Sequence, residues 1–308
     1  MNPRPIRDMA ASAKQRLLNL AKKQGEDFNF LLGRFTAERF LFRLSRSSYR
    51  EDFVLKGAML FHLRSTQIPH RPTRDLDLLS IGTPDIARIE TVFRKVCRTD
   101  VPDDGLVFLE DRVKGERIKN DDEYLGIRLH LEARMGAARI PLQVDVGFGD
   151  AVIPSPTQEQ LVTLLDFPAP SILVYPWETV IAEKFQAIVE LGMDNSRMKD
   201  YFDLNNLATT RSFDGPLLAK AIQAAFARRK TPLPEALPVG LLPEFGEDAI
   251  KQTQWRAFVR KFKMEENAHS LNKIIGCLRS FLIPPVETLL QKKAFRKSWM
   301  PGGPWQEK

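Results

Sequence analysis

Apolar residues recur at helical spacing near the start of the chain. Leu31, Phe35 and Phe42 fall on one side of such a helix. The pattern predicts an N-terminal helical segment over residues 1–48.

Helix and strand patterns then alternate up to about residue 150. Helices are expected from about Gly57 and from about Pro84 to Cys97. Strands are expected near residues 76–81, 105–110, 124–132 and 140–148. This alternation predicts an α/β or α+β core over residues 49–170.

After about residue 150, the sequence predicts first a loop-rich connection and then a helical region. Prolines first mark a loop-rich connection, at Pro154, Pro156, Pro168, Pro170 and Pro176. From Trp177 the pattern is helical nearly to the end, with breaks at residues 231–234 and 237–238. We therefore predict a helical C-terminal lobe over residues 171–308.

Two carboxylates one residue apart lie at the end of an apolar strand, in the run Thr73-Arg74-Asp75-Leu76-Asp77-Leu78-Leu79. Alternate residues of a strand point to the same side, so Asp75 and Asp77 share a face. Two adjacent carboxylates repel unless a cation neutralises them, and Mg²⁺ prefers oxygen ligands. The spacing favours a metal site.

Two further residues extend this candidate site. Asp145 lies in the apolar run Leu142-Gln143-Val144-Asp145-Val146 and could supply a third carboxylate from a neighbouring strand. Gly57 and Ala58 end another apolar run, where the glycine would let backbone amides approach a triphosphate. Each feature alone is more often a turn, a cap or a strand edge, so the prediction rests on the combination.

Lys184 lies inside the apolar stripe of the first helix after the connection. Such a lysine must extend its ammonium to solvent, find a carboxylate or bind an anion in a cleft. We favour a phosphate-binding role, with the other two outcomes left open.

The charged run that follows, Asn195-Ser196-Arg197-Met198-Lys199-Asp200, opens another helix. Asp200 and Asp203 are three residues apart and so lie on one face. A salt-bridge cluster with Arg197 and Lys199 explains the run as well as direct chemistry does. The functional alternative gives nucleotide phosphates to Lys199 and lets Asp200 orient Lys184 or the attacking group.

Composition narrows the class of partner. A net charge of +7 over 308 residues favours a polyanionic partner such as nucleic acid. The basic runs Arg228-Arg229-Lys230 and Arg260-Lys261-Phe262-Lys263 could follow an RNA backbone, although a solvated helix face explains them equally well. The two cysteines, Cys97 and Cys277, lack partners at metal-ligand spacing, and the chain has no apolar run of membrane-spanning length. We expect a cytoplasmic protein without a membrane segment.

Several runs together resemble the AbiEii/AbiGii-type toxin nucleotidyltransferases, over about residues 28–265. They are Arg39-Phe40-Leu41-Phe42-Arg43-Leu44, the segment from Phe53 to Gly57, Thr73-Arg74-Asp75-Leu76-Asp77, Gln143-Val144-Asp145-Val146-Gly147-Phe148-Gly149-Asp150, Ala182-Glu183-Lys184 and Ser196-Arg197-Met198-Lys199-Asp200. The resemblance implies a DNA polymerase β-like fold of class α+β, with a mixed-sheet core and a helical C-terminal lobe. It also implies the toxin of a toxin–antitoxin or phage-defence pair, with a cognate antitoxin.

Family members similar to the MenT toxins add nucleotides to tRNA 3′ ends and so block aminoacylation. The resemblance therefore implies a nucleoside triphosphate substrate, Mg²⁺ or Mn²⁺, and RNA, with tRNA the leading acceptor. Asp75 and Asp77 would be the metal-binding pair, Lys184 the nucleotide-contacting lysine and Asp200 a later essential aspartate. Asp145 matches the third carboxylate.

Two departures from the family pattern bear on the site. Ala58 stands where the family usually has serine or glycine, which removes a possible hydroxyl contact to phosphate. The spacing from Ala58 to Asp75 is also longer than usual, and residues 66–72 are expected to form an extended loop beside the site.

Two other functions remain open at this point. A non-catalytic toxin of the same fold would bind nucleotide without releasing pyrophosphate. A metal-dependent nuclease would use the same carboxylates to shorten RNA without nucleotide. Gly57 together with the Asp-x-Asp pair favours the transferase over both.

Overall fold

The computed structural model describes residues 8–64, 73, 75–118, 126–262, 264 and 269–307. The expected loop at residues 66–72 lies outside the described residues, as do Arg74 and Lys263. The described chain forms two compact units. Unit 1 falls within Met1–Gly149 and Thr157–Val174, and unit 2 within Asp150–Pro156 and Tyr175–Lys308. The domain boundaries that we predicted, after residues 48 and 170, stay predictions.

Unit 1 opens with two helices, α1 (Met9–Gln24) and α2 (Phe28–Arg46). The carboxylates of Asp8 and Asp27 cap them by accepting hydrogen bonds from backbone N–H groups of the first turn. Between them, Gly25 adopts the left-handed conformation that ends α1. The N-terminal helical pattern is thus confirmed for residues 9–24 and 28–46.

The body of unit 1 is a mixed sheet with two further helices, α3 (Met59–Arg64) and α4 (Ile86–Cys97). Its strands, in chain order, are β1 (Phe53–Lys56), β2 (Leu76–Ser80), β3 (Val107–Phe108), β4 (Lys114–Ile118), β5 (Gly126–Met135), β6 (Ala138–Phe148), β7 (Thr157–Gln160) and β8 (Ser171–Val174). The strand order is β3-β5-β6-β2-β1-β8-β7, and β4 pairs with β5. Because β2–β6 and β1–β8 are parallel and the other pairs antiparallel, the sheet is mixed. The predicted α+β class is confirmed.

The central strands form because their apolar residues alternate. In β5, Ile127, Leu129 and Leu131 are buried, while the residues between them are more exposed. In β6, Val144 and Val146 are fully buried in the same way. This alternation sends one set of side chains into the core and leaves a polar face, which carries the candidate site.

Three strands of unit 1 differ from the sequence-based expectation. β4, β7 and β8 were not predicted, and β7 and β8 lie in the stretch expected to be loop-rich. The prolines at 154, 156, 168, 170 and 176 flank these two strands rather than interrupt them. β4 and β7 are mostly polar and largely exposed, so they carry little apolar alternation. Pairing with β5 and β8 defines them instead.

Unit 2 is mainly helical, as predicted. Its helices are α5 (Trp177–Leu191), α6 (Met198–Thr210), α7 (Gly215–Arg228), α8 (Pro243–Glu247), α9 (Ala249–Lys261) and α10 (Leu271–Leu290). None of the helices in the described part of the chain has the length and apolar character needed to cross a membrane.

A small sheet closes unit 2 and corrects the prediction of helix nearly to the end. It consists of β9 (Phe213–Asp214), β10 (Lys297–Trp299) and β11 (Trp305–Glu307). The strands are too short to show a pattern, and tertiary contacts stabilise them. The indole N–H of Trp299 donates to the Ala208 carbonyl at 2.7 Å, and its ring packs against those of Phe281 and Trp305.

Candidate active site

Four charged residues form a row across four neighbouring strands of unit 1. Asp77 on β2 lies opposite Lys56 on β1 and opposite Asp145 on β6, and Asp145 lies opposite Arg128 on β5. Residues directly opposite one another on paired strands project to the same face of the sheet. The register therefore brings two carboxylates together between two cations.

Asp75 and Asp77 share the polar face of the sheet, as predicted. Leu76 and Leu78 are fully buried, whereas Asp75 is exposed and Asp77 is half-buried. Strand β2 begins at Leu76, so the two aspartates lie at its start. This corrects the expectation that they lie at the end of a strand, because the apolar run of the strand follows them. Their carboxylates are therefore accessible from the polar side.

Gly57 allows the Asp77 carboxylate to occupy its position. The backbone of Gly57 has a φ of +74°, in the left-handed region that favours glycine. A Cβ added there would lie 2.6 Å from Cγ of Asp77 and would overlap its carboxylate. Ala58 follows as a half-buried residue whose carbonyl accepts a bond from Phe61 N at 3.2 Å. The two residues thus bring backbone close to the carboxylates.

Asp145 is already engaged by a cation. Its Oδ1 accepts from Nε of Arg128 at 2.9 Å, and its Oδ2 accepts from Nη2 at 2.8 Å. Gln143 Nε2 also donates to Oδ1, at 3.3 Å. The hydrogen bond to Asp145 raises the pKa of the Arg128 guanidinium, and the negative charge of Asp75 acts in the same direction. Asp145 and Arg128 therefore form a two-pronged ion pair.

Asp75 and Asp77 fit a divalent cation by the chemistry of their donors. Both offer carboxylate oxygens on one accessible face, which are the ligands that Mg²⁺ prefers. Both oxygens of Asp145 accept hydrogen bonds from Arg128 in this arrangement. Among the residues that the structure describes, no group of three acidic, histidine or cysteine side chains is arranged to hold a metal.

A second cluster of charges lies in unit 2, around Lys184 on α5. Its ammonium contacts Asp200 Oδ1 at 2.6 Å and Asp203 Oδ2 at 2.9 Å, both on α6. The Asp200 carboxylate also lies 2.7 Å from Nε of Arg197. Of the three outcomes left open for Lys184, the structure therefore has it bound to carboxylates. The salt-bridge reading of Asp200 with Arg197 is confirmed.

Burial makes this cluster costly to disturb. Asp200 is completely buried, Asp203 is buried, and the Lys184 side chain is 13% exposed. Buried charges are tolerated only when they are paired and hydrogen-bonded. Lys199, by contrast, is exposed on the same helix.

Sequence reasoning missed two members of the row in unit 1. Lys56 follows an apolar run, and Arg128 occupies a polar position of an alternating strand. The alternation of apolar and polar residues puts Arg128 on the polar face of its strand. The local sequence does not show the strand register, which determines that Arg128 lies opposite Asp145. Only strand pairing reveals that contact.

Comparison with protein families identifies the chain. Residues 39–292 match the family described as nucleotidyl transferase AbiEii toxin, type IV toxin–antitoxin system. Because the match spans most of the chain, the protein belongs to the AbiEii nucleotidyltransferase toxin family. A search of curated proteins finds no match.

Two solved structures from Helicobacter pylori are similar to this chain. JHP933 has 15% sequence identity, a TM-score of 0.47, and an alignment covering 85% of this chain and 94% of JHP933. A protein described provisionally as a nucleotidyltransferase has 14% identity and a TM-score of 0.47, over 86% of this chain and 98% of its own.

Proposed function

We propose that this toxin transfers a nucleoside monophosphate from a nucleoside triphosphate to the 3′ end of an RNA, with tRNA the leading acceptor. The observation that carries the proposal is the arrangement of Asp75 and Asp77 on one polar face, with Gly57 against the Asp77 carboxylate. Membership of the AbiEii family supplies the class of reaction.

Asp75 and Asp77 would hold Mg²⁺ or Mn²⁺. A divalent ion bound there would neutralise charge on the triphosphate during transfer. The protein's own contribution is to fix the two carboxylates. Leu76 and Leu78 anchor the strand in the core, and the absence of a Cβ at Gly57 leaves the required space.

The reaction itself breaks a phosphoanhydride bond of the triphosphate and forms a phosphodiester bond. The oxygen of a ribose hydroxyl at the RNA end forms a bond to the α-phosphorus, and the bond between that phosphorus and the bridging oxygen breaks. Pyrophosphate leaves with the electron pair, and the hydroxyl proton passes to solvent or base. Backbone next to Gly57 and Ala58 is our proposed contact for the triphosphate.

The roles of Lys184 and Asp200 rest on the family resemblance, and that of Lys199 rests on the functional alternative for its charged run. Lys184 is our proposed nucleotide-contacting lysine, and Asp200 the carboxylate that orients it, through the 2.6 Å contact. Lys199 is exposed on α6 and is our second proposed phosphate contact. Asp203, which shares Lys184 with Asp200, would act with Asp200 as an orienting residue.

The acceptor and the partner follow from charge and family. A net charge of +7 is suited to a nucleic-acid backbone, since phosphate contacts dominate such binding. A protein of a toxin–antitoxin family also requires a cognate antitoxin to restrain it. We propose that the pair acts in defence against phage, by halting translation when the antitoxin fails.

The acceptor and the base can be identified together. Purified protein is incubated with total RNA, Mg²⁺ and each of the four α-labelled nucleoside triphosphates in turn. We expect label from one nucleotide to enter a band of tRNA size, and EDTA to prevent it. Asp111→Asn is a suitable control variant because that side chain is 75% exposed, within unit 1.

Other outcomes would overturn the proposal in distinct ways. Label on a protein band would replace RNA with a protein acceptor. Nucleotide binding without label in any product would indicate the non-catalytic toxin. RNA that becomes shorter without added nucleotide would indicate a nuclease.

A further inference from the structure

We propose that Asp145 positions Arg128 rather than binding metal, and that Arg128 binds a phosphate of the acceptor strand. This inference rests on the proposed transfer reaction and deepens it, because it assigns a recognition group for the acceptor. It follows from contacts within the sheet of unit 1.

The geometry of the ion pair assigns Asp145 its role. Side-by-side contacts of 2.9 and 2.8 Å to Nε and Nη2 of Arg128 match the planar fork of a guanidinium to a carboxylate. A cation bound to Asp145 would share a carboxylate whose charge Arg128 already neutralises, and the adjacent guanidinium would repel it. Its Oδ1 also accepts from Gln143, so both oxygens already have donors.

Arg128 keeps donors that the pair does not use. A guanidinium has five N–H groups, and Asp145 occupies one on Nε and one on Nη2. The two N–H groups of Nη1 lie outside this pair. The Arg128 side chain is 35% exposed, whereas that of Asp145 is 19% exposed. Asp145 thus fixes the orientation of a guanidinium that a solvent-borne anion can still reach.

The position of Arg128 in the row indicates which anion it binds. Asp77 is flanked by Lys56 and Gly57 on the β1 side, and by Asp145 and then Arg128 on the β6 and β5 side. At about 4.8 Å per strand, Arg128 lies about 10 Å from Asp77 along the sheet, two strands away. The triphosphate is proposed on the Gly57 side. Arg128 therefore flanks the carboxylates on the side opposite the proposed triphosphate, and it is on this side that we propose the attacking strand.

Electrostatics supports an anion on that side. The negative charge of Asp75 interacts electrostatically with the Arg128 guanidinium, so the guanidinium is close enough to influence an anion bound near the carboxylates. Without Arg128, an incoming phosphodiester would meet the negative charges of Asp75, Asp77 and Asp145 on this side of the site. These charges would repel it. An arginine oriented at the edge of the carboxylates offsets this repulsion for a phosphate near the reacting end.

Binding measured without turnover tests the inference separately from the reaction. The full-length protein and its variants Arg128→Gln, Arg128→Lys and Asp145→Asn are titrated with a fluorescein-labelled RNA hairpin that has a single-stranded 3′ end. Manganese binding with ATP, GTP, CTP or UTP is followed by electron paramagnetic resonance. Arg134→Gln is the matched control, because Arg134 lies on the same strand and is 46% exposed.

The expected results separate the two residues' roles. Arg128→Gln weakens RNA binding about tenfold and lowers the slope of log affinity against log salt by about one. Arg128→Lys is intermediate, because it keeps the charge and loses the fork. Asp145→Asn weakens RNA binding and leaves manganese affinity within about twofold of wild type. Combining Asp145→Asn with Arg128→Gln adds nothing to Arg128→Gln alone.

Three results would overturn the inference. Loss of manganese binding in Asp145→Asn, with RNA affinity unchanged, would make Asp145 a metal ligand. Unchanged RNA binding in Arg128→Gln would remove Arg128 from acceptor recognition, as would a wild-type protein that binds no RNA. Failure of the proposed transfer reaction would give a different result. The wild-type protein would then bind RNA and manganese but form no labelled product.

Discussion

At the residue scale, the candidate site depends on a missing side chain as much as on the carboxylates. The Asp77 carboxylate occupies space that a Cβ at Gly57 would fill. Gly57 also has a positive φ, so both sterics and backbone conformation require glycine there.

Alanine substitutions at Gly57 and at Gly136 separate the effect of backbone conformation from the effect of a steric clash with Asp77. Gly57→Ala and Gly136→Ala both place a side chain on a backbone of positive φ, at +74° and +57°, but no atom lies within 4 Å of a Cβ at Gly136. Each variant should lose about 1–2 kcal/mol of unfolding free energy. Only Gly57→Ala should lose transfer activity, by about 100-fold, because it displaces Asp77. Rates and urea denaturation of both variants test this, and wild-type activity in Gly57→Ala would contradict it.

Glu38 gives unit 1 a dependence on pH. Burial raises the pKa of this carboxyl from 4.5 to about 7, although it accepts a bond from Leu164 N at 2.8 Å. The unfolded chain thus loses this proton near pH 4.5, while the folded chain keeps it to about pH 7. Between these values the folded state binds more protons, so the free energy of unfolding falls as pH rises.

The variant Glu38→Gln should remove this contribution. Its amide oxygen can still accept the bond from Leu164 N, but it does not ionise. Wild type should lose up to about 3 kcal/mol between pH 4.5 and 7 through this group, at about 1.4 kcal/mol per unit of pKa. Urea denaturation at pH 5 and 8 measures the difference. Glu51→Gln, whose side chain is 78% exposed, should retain the wild-type pH dependence, and an equal dependence in Glu38→Gln would refute the assignment.

Sequence patterns predicted part of this site. Strand alternation correctly placed Asp75 and Asp77 on one face, and Asp145 was correctly assigned to a neighbouring strand. The pairing of Asp145 with Arg128 could not be predicted, because a register shift of one residue would send Arg128 to the opposite face. The metal-binding and catalytic roles of Asp75 and Asp77 stay predictions. The metal-binding role that the sequence indicated for Asp145 is untested, and we propose in its place that Asp145 positions Arg128.

At the scale of elements, helices α5 and α6 are joined through Lys184. One lysine contacts two buried carboxylates, Asp200 and Asp203, and Arg197 also contacts Asp200. Removing one partner of a buried ion pair leaves an uncompensated charge, which costs more than the pair contributes.

Replacing this lysine should therefore destabilise unit 2 strongly. Lys184→Met should lower the free energy of unfolding by about 3–5 kcal/mol, because Asp200 and Asp203 would face each other while buried. Lys220→Met, at an exposed position of α7, should change it by less than about 0.5 kcal/mol. Thermal denaturation compares the two.

A second substitution distinguishes charge from lost packing. Adding Asp200→Asn to Lys184→Met should recover part of the lost stability, since it removes one of the two buried negative charges. A Lys184→Met protein as stable as wild type would show that the cluster is not structural.

Elements were predicted well where the apolar pattern is long. The helical pattern is confirmed over α5, α6 and α7, and the strands β5 and β6 are also confirmed, because each repeats its period several times. Strands β7, β8, β10 and β11 have three or four residues each. Over so few residues, an alternation of apolar and polar positions cannot be recognised. These strands form by hydrogen bonding to neighbouring strands, and the local sequence does not show which strands those are.

At the scale of the whole molecule, the two units carry different kinds of charge cluster. The row in unit 1 lies on an accessible sheet face, whereas the Lys184 cluster in unit 2 is buried. Asp75 is exposed and Asp77 is half-buried, so a cation and a phosphate group can reach their carboxylate oxygens from solvent. This difference is why our account assigns the metal and the reacting phosphate to Asp75 and Asp77.

The most direct test compares Asp77→Asn with Asp111→Asn in transfer of α-labelled nucleotide to RNA. Asparagine keeps the shape of the side chain and removes its charge, and thermal denaturation establishes that both variants are folded. Our account predicts that Asp77→Asn loses at least about 100-fold in rate, while Asp111→Asn, in an exposed 3-10 helix of unit 1, transfers at the wild-type rate. A folded Asp77→Asn protein that transfers as fast as wild type would contradict the account.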